Sequence, residues 1–190
     1  MTAAASSAAA QTSTVTATWA ASTGSTGYIL EYGLAPGVYT QSVNVGNVTS
    51  HTLSVTTGQT YYFVVKAYNS GGTSLPSAVA TGGVFTDRPL IVGSTPVKLA
   101  HLLELRARIN AARVIRGLAT YAWSEAVTTS TSIKAQHVTE MRTALAAAFA
   151  AEPSLSTPTY TDPSLNAGAV IKGVHFTQLR TNVELLEATP

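Results

Sequence analysis

One signature occurs three times in the second half of the chain, and it constrains the fold more than any other feature. Val97-Lys98-Leu99-Ala100-His101-Leu102-Leu103-Glu104-Leu105-Arg106 aligns with Ile133-Lys134-Ala135-Gln136-His137-Val138-Thr139-Glu140-Met141-Arg142 and with Ile171-Lys172-Gly173-Val174-His175-Phe176-Thr177-Gln178-Leu179-Arg180. The shared pattern is aliphatic, Lys, two variable positions, His, apolar, variable, Glu or Gln, Leu or Met, Arg. Each copy follows a small hydroxyl residue and an acid: Thr86-Asp87, Ser124-Glu125 and Thr161-Asp162. The histidines recur after 36 residues (137 minus 101) and 38 residues (175 minus 137), and a near-constant period of this size marks a repeat architecture, in which neighbouring units bury one another's apolar faces.

Each signature is expected on a helix. Thr95-Pro96 has the form of an N-cap with proline at the first helical position, and Ala-rich sequence follows the first two copies. At 100° per residue, Val97, His101, Leu105 and Ile109 form one i, i+4 stripe. Ile133, His137, Met141 and Leu145 form the second, and Ile171, His175, Leu179 and Val183 the third. Each histidine then sits mid-stripe, facing packing. A buried imidazole demands hydrogen-bond partners, and Asp87, Glu125 and Asp162 or connector carbonyls are the candidates. The Glu/Gln and Arg positions fall on opposite flanks, which suits pairing between one copy and the next. Connectors of about fifteen residues reach roughly 50 Å extended, enough to return to the same end of a helix. Three parallel helices around a pseudo-threefold axis are expected, with a right-angled array as the alternative, and Tyr121, Trp123 and Tyr160 as core plugs.

Zinc is the sharp alternative for the histidines, since three imidazoles could meet on such an axis. However, a lysine stands three residues before each, and there is no His-Glu-x-x-His cluster. No metal or other cofactor is expected. His101, His137 and His175, with Arg106, Arg142 and Arg180, are the candidate binding residues for a glycan or partner, and their structural role is the favoured reading.

The first half alternates apolar and polar residues in short runs: Val15, Ala17 and Trp19; Tyr28, Leu30 and Tyr32; Leu53 and Val55; Tyr61, Phe63, Val65 and Ala67. Turn residues such as Pro36-Gly37, Gly46-Asn47 and Thr57-Gly58 separate them, the pattern of a β-sandwich. Trp19, Tyr28-Ile29-Leu30-Glu31-Tyr32, the run Val55 to Asn69, Ser74 and Ser77 together resemble a fibronectin type III domain over roughly residues 3–85. The resemblance implies a core role for Trp19 and a tyrosine corner at Tyr61, whose hydroxyl would bond to nearby backbone. It also implies a spacer or binding scaffold with no catalytic site. The family usually opens on a proline-led strand; here Thr2 to Ala10 is an Ala/Ser run, so the first strand is weak or supplied by another chain. On the strand of Tyr61, the outward residues Tyr62, Val64 and Tyr68, with Ile29 beside them, predict an apolar patch, which the helical module covers within the chain or which is an interface to other subunits or partners.

The fold class expected is therefore multidomain β plus α: an N-terminal segment over 1–13 (first strand or inter-subunit tail), a fibronectin type III-like sandwich over 14–86, and an all-α module over 87–190, divided at 87–123, 124–160 and 161–190. The helical part resembles tandem C-terminal segments of secreted bacterial proteins. A looser likeness to S-layer homology domains lacks their Thr-Arg-Ala-Glu motif.

Composition narrows the function. Only 11% of residues are charged, against roughly 25% in ordinary soluble domains, which suits a β-rich extracellular protein or a packed assembly better than a cytosolic enzyme. A net charge of +2 gives no broad basic face for nucleic acid. There is no cysteine, so packing alone must hold the fold. No apolar run approaches the roughly 20 residues of a membrane span, and Met1 to Gln11 is not an intact secretory signal. Gly-x-Ser-x-Gly, phosphate-loop and dinucleotide fingerprints are absent, and no catalytic residue is assigned. The expectation is a non-catalytic, extracellular or cell-surface structural or adhesive protein, a homo-oligomer or self-assembling filament subunit. The alternative is an accessory carbohydrate- or cell-wall-binding module of a larger secreted protein.

Overall fold

The computed structural model describes residues 11–189. The expected first strand or tail over residues 1–10 lies outside them, and residues 12 and 13 already belong to a strand. Among the described residues seven strands come first: β1 (Thr12–Thr18), β2 (Gly27–Gly33), β3 (Gln41–Gly46), β4 (Ser50–Thr56), β5 (Tyr61–Asn69), β6 (Gly72–Thr73) and β7 (Ala80–Gly82). Three helices follow: α1 (Leu99–Val114), α2 (Ala135–Ala150) and α3 (Gly173–Glu187). The chain is thus an antiparallel β region followed by an α region.

The strands make two sheets. β1 pairs with β4, and β3-β2-β5-β6 forms the second, with β7 also on β5. Alternation decides which side chains meet. Leu53 and Val55 of β4, with Val15 and Ala17 of β1, face Leu30, Tyr32, Phe63 and Val65 across one apolar cluster. Tyr61 leans into it, and its hydroxyl accepts the Thr56 N–H at 3.1 Å. Trp19 follows β1, half-buried, with its ring 5.8 Å from that of Tyr28.

In the α region each helix packs on both others. The starts of all three border a single depression of about 820 Å³ lined by Val97, Leu99, Ile133, Ile171 and Gly173 among others, so the helices run in the same direction. Leu102, Leu105 and Ile109 of α1 meet Val138, Met141 and Leu145 of α2 and Phe176, Leu179 and Val183 of α3, all fully buried. Full burial of such side chains stabilises by about 1.5–3 kcal/mol each.

The helix starts differ from the sequence expectation. Lys98, Lys134 and Lys172 are the N-caps, so Val97, Ile133 and Ile171 precede the helices and Thr95-Pro96 lies outside α1. The histidines occupy the first turn, at the N-terminal end of the apolar stripe instead of its middle. The reason is local: the imidazole, and not a hydroxyl, receives the cap N–H.

The β and α regions are joined tightly. β7 lies against α1 and α3, and Phe85, 1% exposed, belongs to the helical core. Strand structure ends at Gly82, so Phe85 and Thr86 go with the helices rather than with the sheets. Gly58, in the turn between β4 and β5, has φ of +78°, and a Cβ there would meet Glu104 Oε1 of α1 at 2.9 Å. Glycine suits this position for its positive φ, and a larger residue would also push the Glu104 carboxylate aside.

Candidate functional site

The repeated histidines form three clamps of the same design. In the first, the Lys98 N–H donates to His101 Nδ1 at 3.2 Å, and His101 Nε2 lies 3.1 Å from Asp87 Oδ2. Lys98 Nζ donates to the same carboxylate oxygen at 2.6 Å. In the second, Lys134 N–H to His137 Nδ1 is 3.2 Å, His137 Nε2 to Glu125 is 3.1 Å, and Lys134 Nζ holds both Glu125 oxygens. In the third, Lys172, His175 and Asp162 repeat this at 3.2, 2.9 and 2.9 Å. Because Nδ1 accepts from a backbone N–H, the ring is the neutral tautomer with its proton on Nε2, donated to the carboxylate.

All three rings are 0% exposed. Burial pushes the His101 pKa down, with Asp87 opposing. Each carboxyl is held below its ordinary range. At Asp87 and Glu125 the lysine is the larger cause and the histidine the second; at Asp162 the histidine leads and Lys172 follows. Asp87 has φ of +51°, a left-handed conformation that its clamp keeps in place.

The repeated arginines bridge between copies. Arg106 Nη1 donates to the Glu125 carbonyl at 2.9 Å, and Nη2 lies 3.3 Å from Glu140. Arg142 Nη1 donates to the Asp162 carbonyl at 2.7 Å. Arg180 reaches back to the Thr86 and Asp87 carbonyls at 2.9 and 3.3 Å. Each guanidinium also covers an aromatic ring: Arg106 over Trp123 at 4.7 Å, Arg142 over Tyr160 at 4.2 Å, Arg180 over Phe85 at 4.7 Å. Stacking on a ring while donating in-plane is what a guanidinium does and an ammonium does not. Burial lowers the pKa of all three. The Glu/Gln position completes the set, since Glu104, Glu140 and Gln178 accept the N–H of Thr86, Ser124 and Thr161.

The expected plugs Tyr121, Trp123 and Tyr160 pack, partly buried, against the helical core; Trp123 and Tyr160 are also arginine platforms, and the Tyr121 and Trp123 rings meet tilted at 48° with centroids 4.8 Å apart. Phe85 was missing from that set. The signal was present: an aromatic directly precedes each hydroxyl-acid pair, as Phe85-Thr86-Asp87, Trp123-Ser124-Glu125 and Tyr160-Thr161-Asp162.

The histidines do not converge. Each has both ring nitrogens engaged with its own lysine and acid. Among the described residues no group of three His, Cys, Asp or Glu side chains is placed to hold a metal ion.

The expected interface patch needs correction. Val64 is buried at 2% exposure, and Ile29, Tyr62 and Tyr68 are half-buried. The cross-strand partner of Val64 is Glu31, which pairs with Lys66 at 2.7 Å, and Tyr68 donates to Asn44. Long polar and aromatic side chains share that face, so it is not an open apolar surface. Among the described residues no helix is long and apolar enough to cross a membrane.

No protein-family model matches the chain. A Kelch domain-containing protein of Saccharolobus solfataricus is 50% identical over 56 residues, which are 29% of this chain and 8% of that protein. The similarity therefore covers a small fraction of that protein's length.

Proposed function

We propose that this is a non-catalytic extracellular structural or adhesive protein that assembles from copies of itself. In this reading the β region is a fibronectin type III-like sandwich, with Tyr61 as its tyrosine corner. The α region is a three-copy repeat closed around a pseudo-threefold axis. The observation that carries the reading is that the repeated polar groups find their partners inside the fold. Every repeated histidine, acid and arginine is engaged within the fold. Groups spent on holding helices together are not available as nucleophiles, bases or metal ligands. The low charge supports assembly. Sedimentation velocity across a wide concentration range, with electron microscopy of the concentrated protein, tests it. Concentration-dependent oligomers or filaments are expected, and a monomer throughout would sink the assembly reading.

A second reading, an accessory carbohydrate- or cell-wall-binding module, is favoured by one observation. The half-buried Tyr121–Trp123 pair lines a shallow groove of about 550 Å³ with Asn110 and Glu125, and aromatic faces suit sugar rings. A glycan-array screen without hits removes it.

A further inference from the structure

The second and third copies of the repeat show which outward residues the helical packing needs, and the first copy departs from them in one place. On α2 two successive outward positions hold Thr139 and Thr143, and on α3 they hold Thr177 and Thr181. All four hydroxyls donate back to carbonyls of their own helix. On α1 the same positions are Leu103, 46% exposed, and Ala107, also exposed. The connector beside them changes in the same sense. Two residues before the platform ring stands Tyr121, where the other copies have Gly83 and Pro158. Two residues after the acid stands Val127, where they have Pro89 and Ser164.

With Trp123 these residues line one open groove of about 550 Å³ along α1. Helix packing does not call for them, since α2 and α3 pack without them. An exposed apolar surface of this kind marks a contact site. Tyrosine and tryptophan at its centre with few charges are the composition of a protein–protein contact. The charged residues that border it, Arg106 and Glu125, are already engaged within the fold. Arg106 also lies over the Trp123 ring, and Leu103, Ala107 and Val127 are aliphatic. Such a surface suits a leucine side chain better than the hydroxyls of a sugar.

The patch is complementary to itself. Asn110 Oδ1 accepts the Tyr121 N–H at 2.7 Å, so Tyr121 stands level with residue 110, three residues beyond Ala107. Leu103 stands four residues before Ala107. A two-fold axis at Ala107, with the two α1 helices antiparallel, therefore brings Leu103 of each copy to Tyr121 of the other, within about 1.5 Å along the helix. The small side chain of Ala107 lets the two backbones approach on the axis. The charges agree with this direction. Arg113 lies 5.8 Å from the Tyr121 ring, held by the Ala119 and Ala144 carbonyls and, among the described residues, by no carboxylate. The Glu125 carboxylate is bonded to His137 in the first turn of α2. Because the helices run in the same direction, it stands level with the start of α1, at the other end of the groove. Antiparallel packing sets Arg113 of one copy at the end that carries Glu125 of the other, and it opposes the two helix dipoles.

We propose that this face of α1 is a self-association surface, on which two copies pack α1 against α1 in antiparallel fashion about Ala107, each laying Leu103 in the other's groove. The contact is isologous and closes at two copies, so growth beyond a dimer uses a second contact. This inference rests on the self-assembly reading above and names a surface for it.

The test uses the full-length chain. Leu103→Thr/Ala107→Thr gives α1 the residues that α2 and α3 carry at these positions. By sedimentation velocity this variant should associate about tenfold more weakly than the unsubstituted chain, or weaker still, with an unchanged far-UV circular dichroism spectrum. The chain has no cysteine, so Ala107→Cys reports the contact directly, even where the double variant is destabilised. Mild oxidation should link it into a disulfide-bonded dimer. Thr143→Cys, at the matching place on α2, should stay single at the same concentration. Undiminished association of the folded threonine variant, or equal linking at the two cysteines, overturns the inference and leaves assembly standing. An unsubstituted chain that is monomeric throughout overturns both.

Discussion

At the residue scale the histidine clamp explains why one side-chain type recurs. An imidazole at the third helical position accepts the N–H of the cap residue and hands its own proton to a carboxylate outside the helix. It satisfies an orphan donor of the helix start and ties the helix to the segment before it. Its burial is complete, so removing it leaves a cavity, an unpaired N–H and a carboxylate missing a partner. His137→Ala is expected to destabilise the protein by about 2–4 kcal/mol. Far-UV circular dichroism during thermal unfolding reads this as a lowered Tm. His137→Gln, which can still accept and donate, should recover part of the loss.

At the element scale, the three helix starts share one acid sensitivity. The folded pKa values of Asp87, Glu125 and Asp162 lie below their ordinary values. Their contribution is present above the unfolded carboxylate pKa of about 4 and is lost as pH falls through the depressed values. His101 also has a lowered pKa; it favours the fold above its unfolded pKa near 6.5 and loses that contribution as pH falls below it. Glu187, raised by burial against the pull of Arg108, works in the opposite sense. Four groups against one predict that stability falls from about pH 6 downwards and steepens below about pH 4. Denaturant midpoints measured across that range check the direction.

The helices were legible in the sequence because their apolar spacing is regular, and Leu105, Ile109, Met141, Leu145, Leu179 and Val183 are buried as that spacing requires. Their starts were not. Thr95-Pro96 offers the common capping chemistry, while a lysine cap completed by a histidine three residues later is outside it. The partners of the histidines and the between-copy reach of the arginines could be read from recurrence alone. Val64 was misjudged because strand alternation gives the face of a side chain and not what its neighbours cover. Phe85 was missed because it sits at the end of the sheet-like pattern, although it packs among helices.

At the scale of the whole molecule, one buried ion pair stands where the β and α regions meet. Arg108 Nε donates to Glu187 Oε1 at 2.9 Å and its Nη2 contacts Oε2, while the guanidinium lies 3.8 Å over the Phe85 ring. The equivalent positions in the other copies are Ala144 and Asn182, so this pair belongs to the junction and not to the repeat. Removing one partner strands the other in a buried site, and Arg108→Ala is expected to cost about 3–5 kcal/mol. The double change Arg108→Met/Glu187→Leu should cost clearly less than the sum of the single changes. Chemical denaturation of the set gives the comparison; equal additivity would show that the two residues do not act as a pair.

The reach of Arg180 back to Thr86 and Asp87 has a mechanical consequence. A tension applied between the sheets and the helices enters through the stretch from Val84 to Asp87. There it meets the last helix's guanidinium, the Glu104 carboxylate and the His101 clamp together. These bonds lie side by side on a few residues, so they bear the load in parallel instead of opening one after another. The joint thus resists tearing where the two regions would be drawn apart.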